Sequence, residues 1–362
     1  MAAGMWSRRD FIRGSAGAIA GVLLTPALQA EGSGLDETIR SSVDAFVRAN
    51  DFHGVIHLAR QDRVVFSEAF GMADIEAGRR ASIDTLYPLA SISKWFTCAT
   101  VLRLVDHGEL DLDAVISDYL ADYRPDTGSK VKLKHLLSNT SGIPNLFDPK
   151  ANPDLWTKTF TTEEAIKAFC SGDLAFEPGS RFSYDFTNWI IVKGIVETIT
   201  GKDFVEVVDQ LTLAPLGLAS IVPRYSEDAL LRIAAGYASV SPPVRKMYPQ
   251  SVYTLASGGY CGTAPDLVRA AQGVYGSALL SVESRNALSA ILAPAESYAL
   301  GGRVKTLGIA GHSHPFAWET GRVDGYRSLL AHRLDGAITL VVLNNTDVGQ
   351  KAIDVFAETM LG

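Results

Sequence analysis

The stretch Tyr87-Pro-Leu-Ala-Ser-Ile-Ser-Lys-Trp-Phe96 is the most informative part of this 362-residue chain. It places Ser91 three residues before Lys94, at the start of an apolar run that predicts a helix over 91–104. Residues three apart on a helix share a face, so Ser91 Oγ and Lys94 Nζ are expected to converge. A serine attacks a carbonyl only after a base takes its proton, and a buried lysine is such a base. The alternative for this pair is a helix N-cap at Ser91 with Lys94 in solvent, and the spacing alone does not exclude it.

The composition indicates a globular protein and argues against a nucleic-acid binder. Of the residues, 47% are hydrophobic and 20% are charged, which is typical of a chain that buries a large core. The length fits one large domain or two closely packed ones. The formal net charge of −7 lacks the basic excess that nucleic-acid binding requires.

The first thirty residues have the pattern of an export signal. The paired arginines of Ser7-Arg-Arg-Asp-Phe-Ile12 precede an uncharged, Gly/Ala-rich run that ends in small residues at Ala30. This pattern predicts a twin-arginine-type signal peptide over residues 1–30, and therefore contact with the export machinery and a periplasmic or secreted protein. The alternative is an N-terminal membrane anchor, but the run is short and glycine-rich for a spanning helix. No stable membrane insertion is expected after cleavage near Ala30.

Removal of the signal makes the protein more acidic. It takes away three arginines and one aspartate, so the 33 basic and 40 acidic residues become 30 and 39, and the net charge falls from −7 to −9. The three cysteines Cys98, Cys170 and Cys261 are too few and too scattered for a disulfide framework. One disulfide between two of them is the alternative in an oxidising compartment, but buried free thiols are the favoured interpretation.

The hydrophobic periodicity indicates a sheet that is built from both ends of the chain. The predicted elements are a helix over 35–49, a hairpin over 55–59 and 64–69, helices at 91–104, 162–170, 190–200, 266–275 and 281–292, strands at 316–320, 326–332 and 337–343, and a helix over 352–361. We therefore expect an α/β (α+β) fold with one antiparallel sheet flanked by helices, formed by residues of about 31–110 and 246–362. A mostly helical part, about 111–245, is inserted between them, with a cleft at the seam.

Further segments follow in an order that is specific to one family. They are Leu104-Val-Asp-His-Gly-Glu-Leu-Asp-Leu-Asp113, Lys134-His-Leu-Leu-Ser-Asn-Thr-Ser-Gly-Ile143, Pro178-Gly-Ser-Arg-Phe-Ser-Tyr184, Ala256-Ser-Gly-Gly-Tyr-Cys-Gly-Thr-Ala264, and Gly325-Tyr-Arg-Ser-Leu-Leu330 through Leu343-Asn-Asn-Thr-Asp347. With residues 87–96, they resemble the serine β-lactamase/penicillin-binding-protein-like family, in the branch of class C β-lactamases, D-amino-acid peptidases and family VIII carboxylesterases. The resemblance extends from about residue 40 to residue 360, and it implies the β-lactamase-like fold with the active site at the seam.

The resemblance implies a serine hydrolase that works by double displacement. Ser91 would attack a carbonyl, and Lys94 with Tyr184 would handle the proton, Tyr184 acting as a phenolate stabilised by the Lys94 ammonium. The backbone N–H groups of Ser91 and Arg322 would form the oxyanion hole. The family needs no metal or cofactor, and its substrates are small molecules or peptides. His312 and His314 form a candidate metal pair by spacing, but histidines at the rim of the cleft are the favoured interpretation.

Two departures from the family pattern affect substrate choice. The second motif reads Tyr184-Asp-Phe186, where the family usually has Tyr-x-Asn, so an apolar ring replaces an amide that Asn188 would restore only if the loop is rearranged. The third motif reads Glu319-Thr-Gly321, where the family usually begins with a base. The expected substrate-binding residues are therefore Phe186, Asn188, Trp318, Glu319, Thr320 and Gly321.

The charge of Glu319 leads to an expectation about the substrate. An anion close to a substrate carboxylate costs about 1–4 kcal/mol at intermediate dielectric, so poor β-lactamase and carboxypeptidase activity is expected. Neutral esters or amides, or substrates with a free ammonium, are favoured. The alternative is that Glu319 turns outward or pairs with Arg322 or Arg327. Three other functions stay open: a catalytically degenerate binding protein, an acyltransferase, and a D-specific peptidase or β-lactamase.

Overall fold

A computed structural model describes residues 26–247, 251–276 and 279–362, with side chains from Glu37 onward. The helices are α1 Pro26–Ala49, α2 Ile92–Asp106, α3 Ile116–Tyr119, α4 Pro125–Gly128, α5 Leu133–Leu137, α6 Thr162–Phe169, α7 Thr187–Thr200, α8 Phe204–Val208, α9 Glu227–Arg232, α10 Leu255–Gly258, α11 Ala264–Tyr275, α12 Val282–Ser289 and α13 Gln350–Leu361. A π-helical turn, Asp209–Leu213, continues α8, and short 3-10 turns lie at Pro153–Trp156, Ala214–Leu216, Val252–Thr254 and Pro294–Glu296.

The strands form one large antiparallel sheet and three small ones. They are β1 Gly54–Arg60, β2 Arg63–Phe70, β3 Met72–Asp74, β4 Arg79–Arg80, β5 Tyr87–Pro88, β6 Val222–Pro223, β7 Gly236–Val240, β8 Pro243–Lys246, β9 Tyr260–Gly262, β10 Arg303–Ile309, β11 His312–Val323, β12 Tyr326–Arg333 and β13 Thr339–Asn344. The large sheet has the order β10-β11-β12-β13-β1-β2. Because β1 pairs with β13, the two ends of the chain meet in one sheet, as the periodicity predicts.

The two faces of the large sheet are buried against different helices. Along β13, Leu340 and Val342 pack with the terminal helices α1 and α13, whereas Val341 and Leu343 join the core that contains α2 and α11. This alternation follows from the two-residue repeat of a strand. Both faces are covered, so the four central residues of β13 are all apolar and do not alternate with polar ones.

Helix α2 is a core helix because it lies between the sheet and the helical part of the chain. Its residues are buried on nearly every side, including Lys94 and Thr97, and a helix that is apolar all round is typical of this position. The N-terminal end of α2 is fixed by tight packing against Gly321. A Cβ at Gly321 would overlap Ser328 Oγ and the Leu89 carbonyl. Ser328 Oγ donates to that same carbonyl at 3.0 Å, two residues before Ser91.

Most predicted elements are confirmed, and three of the differences concern the large sheet and the first helix. Strand β10 was not predicted, because a lysine at a half-buried position and a glycine at an exposed position weaken its strand pattern. Strand β11 begins at His312, four residues earlier than predicted, because it pairs with β10 along its first half. Helix α1 begins at Pro26 instead of residue 35. Proline is tolerated at the first position of a helix.

The expected export signal falls mainly on residues outside the described range, and its cleavage near Ala30 stays a prediction. The division of the chain near residues 110 and 246 also stays a prediction. No helix within the described ranges is both long and apolar enough to cross a membrane. Cys98, Cys170 and Cys261 are buried free thiols, as the sequence favours.

Candidate active site

Ser91 lies at a sharp turn between strand β5 and helix α2. The preceding residue, Ala90, has φ of +48°, a left-handed conformation that is uncommon for residues other than glycine and often marks a functional site. Ser91 is the N-cap of α2, but its side chain makes no capping hydrogen bond. Within the described residues, its backbone N–H also has no acceptor. The hydroxyl and this N–H are therefore both available to a substrate.

Lys94 is placed against Ser91 by the helix, as the three-residue spacing predicts. Its side chain is 2% exposed, and Nζ donates to Ser91 Oγ at 3.1 Å. A second donation goes to the Ser257 carbonyl at 2.6 Å, and the Trp189 ring centroid lies 5.7 Å from Nζ. A buried lysine costs free energy unless its donors are satisfied, so these contacts aim Nζ at the serine. The alternative of a solvated Lys94 is wrong.

Tyr184 completes the group from the loop that precedes helix α7. Its hydroxyl and Ser91 Oγ are hydrogen-bonded at 2.7 Å, and its ring centroid lies 5.0 Å from Lys94 Nζ. The side chain is 46% exposed, so it forms a wall that faces solvent. Ser91, Lys94 and Tyr184 thus meet at one hydroxyl, a geometry that fits proton transfer to and from the serine.

The uncovered segment of β11, Glu319–Val323, passes close to Ser91. Strand β10 opposes β11 only as far as Trp318, so this segment is paired on one side by β12 and has no described strand on the other. Because Gly321 packs against Leu89, the next residue, Arg322, is brought towards the start of α2. This placement is compatible with an oxyanion hole from the N–H groups of Ser91 and Arg322.

Glu319 is a buried acid, and both sequence-based alternatives for its position are wrong. It is 3% exposed and has no ion pair with any residue that the structure describes, while Arg327 pairs with Asp347 at 3.0 Å and the Arg322 side chain is exposed. Burial raises the pKa of Glu319 to about 8, and nearby Arg303 only partly opposes this. The carboxyl group is therefore mostly neutral at pH 7, so the expected repulsion of a substrate carboxylate is confined to alkaline pH.

Trp318 does not line the cleft, which corrects its assignment as a substrate-binding residue. It precedes Glu319 on β11 and therefore points to the opposite face of the sheet. There it packs with the terminal helices, its Nε1 donates to Asp354 Oδ1 at 3.2 Å, and Lys305 Nζ lies 4.5 Å from its ring centroid.

Asn188 does not replace the amide that the second motif lacks. It is 1% exposed, its side-chain oxygen accepts from the Ser141 hydroxyl at 2.7 Å, and its nitrogen donates to Asn139 Oδ1 at 3.3 Å. Asn188 is the second residue of helix α7. The rotation of successive residues about the helix axis points its side chain into the helical core and not into the cleft. Its assignment to substrate binding is therefore corrected.

Phe186 and Asp185 form the other half of the altered motif. The Phe186 ring is half-buried and meets Phe147 edge-on, with centroids 5.4 Å apart. Burial raises the pKa of Asp185, whereas hydrogen bonds from Thr187 and from the exposed Asn145 side chain oppose that rise. Asn145 thus places an amide beside the motif, a residue that no sequence signal indicated. Contact of Phe186, Thr320 and Gly321 with substrate stays a prediction.

Two further residues were missed by sequence reasoning. The Ser257 carbonyl accepts from Lys94, and only its presence in the segment 256–264 hinted at a role. Tyr298, from the loop before β10, is 1% exposed and meets Tyr184 edge-on at 6.2 Å between centroids. Its hydroxyl has no partner among the described residues. Tyr298 supports the face of Tyr184 that is turned away from solvent.

No group of three or more metal-ligating side chains occurs in the part of the chain that the structure describes. His312 is exposed and His314 is half-buried, at the hairpin between β10 and β11. They lie at the opposite end of β11 from Glu319–Val323, so they are not rim residues of the candidate site.

We expect Tyr184→Phe to lower kcat by about 10²–10³-fold, because the change removes the hydroxyl that exchanges a proton with Ser91. The ring is half exposed and is retained, so the thermal midpoint should change little. Steady-state kinetics on an activated ester, together with thermal unfolding, measure both effects.

Tyr225→Phe is the matched control, since Tyr225 is a 36% exposed tyrosine outside the site. It should leave kcat near the wild-type value. Equal kcat and equal pH profiles for Tyr184→Phe and the wild type would contradict a proton-transfer role for Tyr184.

Comparison with known proteins gives a consistent result. The chain is 30% identical over 253 residues to the esterase EstB of Burkholderia gladioli, covering 60% of this chain and 64% of the relative. It is 27% identical over 239 residues to a D-aminopeptidase of Brucella anthropi, covering 63% and 44%. The aligned part thus spans less than two thirds of the length of these curated relatives. The D-amino acid amidase of Ochrobactrum anthropi SV3, solved with L-phenylalanine amide, has a similar fold, with a TM-score of 0.76 at 20% identity over 91% of this chain and 97% of that one.

The family assignment rests on most of the chain. The model of the beta-lactamase family matches residues 39–358, a range that contains Ser91, Lys94, Tyr184 and the segment Glu319–Val323. Because this match covers most of the chain, and the antiparallel sheet built from both chain ends agrees with it, this chain belongs to the beta-lactamase family.

Proposed function

We propose that this protein is an exported serine hydrolase that forms an acyl-enzyme on Ser91 and hydrolyses an ester or amide of a small or peptidic substrate. The observation that carries the proposal is the convergence of Lys94 Nζ and the Tyr184 hydroxyl on Ser91 Oγ, at 3.1 and 2.7 Å. The covalent step needs a nucleophile, a proton acceptor and a fixed cation, and these three residues supply them.

In the first half-reaction, Ser91 Oγ bonds to the substrate carbonyl carbon, the carbonyl oxygen becomes the oxyanion, and the Ser91 proton passes to the Tyr184 oxygen, which acts as the phenolate that the family resemblance implies. The positive charge of Lys94 lies beside Ser91 Oγ and the Tyr184 oxygen and stabilises whichever of the two is negatively charged. The N–H groups of Ser91 and Arg322 stabilise the tetrahedral oxyanion. The bond to the leaving group then breaks, and that alcohol or amine takes the proton from Tyr184.

In the second half-reaction, water replaces the leaving group. The water oxygen bonds to the acyl carbon while Tyr184 accepts a proton from the water. This proton returns to Ser91 Oγ when the acid is released. Because Tyr184 is 46% exposed, water reaches this oxygen without a conformational change. An acceptor alcohol that enters instead of water would make the same enzyme an acyltransferase.

The site favours substrates that need no carboxylate recognition at the third motif. Glu319 stands where a base would hold a carboxylate, the nearby Arg303 pairs with Glu296, and the Arg322 side chain is exposed to solvent. Lys94 is already committed to Ser91 and Ser257. Neutral esters and amides are therefore the preferred class, which agrees with the esterase and the aminopeptidase among the relatives.

Export supports a periplasmic or secreted place of action. The basis is the paired arginines at residues 8 and 9 and the uncharged run that follows them. Fractionation of cells that express the full chain, and of cells that express an Arg8→Lys/Arg9→Lys variant, tests this part separately. Retention of activity in the cytoplasmic fraction for both chains would contradict export.

The function is tested by labelling and by a substrate panel. A fluorophosphonate should add its mass to Ser91, and turnover should be highest on short p-nitrophenyl esters, followed by D- and L-aminoacyl amides. A cephalosporin should be a poor substrate. Failure to label Ser91, with no turnover in the panel, would favour a degenerate binding protein, and turnover of the cephalosporin alone would favour a β-lactamase.

A further inference from the structure

Glu319 occupies a closed pocket behind the catalytic group. A Cβ at Gly302 would overlap the Glu319 carboxylate, so the glycine is what leaves room for it. Gly301, beside it, packs against the Lys94 carbonyl and Cys98 Sγ of helix α2. The acid is 3% exposed, and no described residue offers it a hydrogen bond or an ion pair. A buried carboxyl group without a partner is uncommon and is often functional.

The charged and titratable groups around Glu319 come from every element that packs against it. Arg303, at the start of β10, is the one described cation that acts on it directly. Cys98 of α2 is affected by both Glu319 and Lys94, and Tyr275 of α11 by Glu319. Tyr298 is affected by both Glu319 and Tyr184. Cys98 and Tyr298 are therefore neighbours that Glu319 shares with Lys94 and with Tyr184, respectively.

We propose that Glu319 is a specificity residue whose protonation state sets the charge that the active site accepts: the neutral acid is indifferent to charge, and the carboxylate selects substrates with a positive group near the scissile carbonyl. The proposal rests on the proposed function, because it concerns the same acyl-transfer site. It needs no direct contact between Glu319 and the substrate.

The physical basis is long-range attraction in a region from which water is excluded. A charge buried behind the cleft acts on a substrate through low-dielectric protein, so the attraction is much stronger than in water. Because burial raises the pKa of Glu319 to about 8, the charge appears mainly between pH 7 and pH 9.

Matched pairs of substrates isolate the effect. Acetylcholine and 3,3-dimethylbutyl acetate have the same shape, but only the first carries a permanent charge, on its leaving group. The p-nitrophenyl esters of 4-(trimethylammonio)butyrate and 5,5-dimethylhexanoate form the equivalent pair with the charge on the acyl group. A change in the chemical step itself affects both members of a pair, so it cancels in the ratio of their kcat/KM values.

We expect the cationic-to-neutral ratio of kcat/KM to rise about tenfold between pH 6.5 and pH 9.5 in the wild type, for at least one pair. In Glu319→Gln the ratio should stay constant with pH. Glu358→Gln is the matched control, since Glu358 is an exposed acid that binds Lys305 on the far face of the sheet. It should behave as the wild type.

A constant ratio for both pairs in the wild type would overturn the proposal, and so would a rise that persists in Glu319→Gln. If Glu319→Gln does not fold, infrared difference spectroscopy of the wild type replaces it. A protonated-carboxyl band should then disappear between pH 7 and pH 9, and its absence at pH 7 would overturn the proposal. Fluorophosphonate labelling of Ser91 and turnover of the neutral esters by the wild type do not depend on any of these outcomes. Failure of this proposal is therefore distinct from failure of the proposed function.

Discussion

Ser91→Ala should lower kcat on p-nitrophenyl esters by at least about 10³-fold and abolish fluorophosphonate labelling. The variant lacks the oxygen on which Lys94 and Tyr184 converge, so no acyl-enzyme forms and neither residue has a proton to move. Stability should change by less than about 1 kcal/mol, because the Ser91 side chain makes no capping hydrogen bond. Burst kinetics, intact-mass spectrometry and thermal unfolding measure the three effects.

Ser93→Ala is the matched control, a second serine in the same stretch of α2. Its hydroxyl is fully buried and accepts from the Tyr260 N–H at 3.2 Å, so its loss should cost about 1–2 kcal/mol of stability while Ser91 is still labelled. Undiminished turnover in Ser91→Ala would disprove the mechanism. Loss of labelling in both variants would point to a folding defect.

Glu319→Gln should stabilise the protein at alkaline pH and have little effect at acidic pH. The pKa of Glu319 is about 8 in the folded protein and near 4.5 in the unfolded chain. Between these values the folded state binds the additional proton, so stability falls as the pH rises. The contribution of the neutral acid is fully present below pH 4.5 and is lost as the pH passes 8. The amide has no charge to desolvate and loses no hydrogen bond.

The difference between the variant and the wild type should therefore grow with pH. Between pH 5 and pH 9 we expect it to increase by up to roughly 4 kcal/mol in the free energy of unfolding. Urea denaturation at several pH values measures it. Glu358→Gln should show a small and nearly constant difference, since Glu358 is 42% exposed. An equal difference for Glu319→Gln at pH 5 and pH 9 would show that the acid is ionised throughout.

The candidate site was predictable where residues lie close together in the chain or belong to a motif. Ser91 and Lys94 share a helix face, and Tyr184 follows a recognisable segment, so all three were identified before the fold was known. Ser257 and Tyr298 were not identified, because a backbone carbonyl acts whatever its side chain is, and Tyr298 becomes important only by packing on Tyr184.

The errors at Trp318 and Asn188 have a common origin. Both residues adjoin motif positions in sequence, but proximity along the chain does not imply proximity to the cleft. On a strand, neighbouring side chains point to opposite faces, so Trp318 is directed away when Glu319 is directed inward. On a helix, each residue turns by about 100°, which carries Asn188 into the core.

The sequence by itself determined the nucleophile, its lysine, the tyrosine and a sheet that joins both ends of the chain, because local spacing and hydrophobic periodicity encode these features. Only the tertiary structure decided the state of Glu319. The sequence shows an acid where the family has a base, and it therefore suggests a negative charge. Whether that acid is charged depends on how much water reaches it. Water is excluded by Gly302, α2 and Tyr298. None of these belongs to the motif of Glu319, so the sequence around Glu319 does not show its burial.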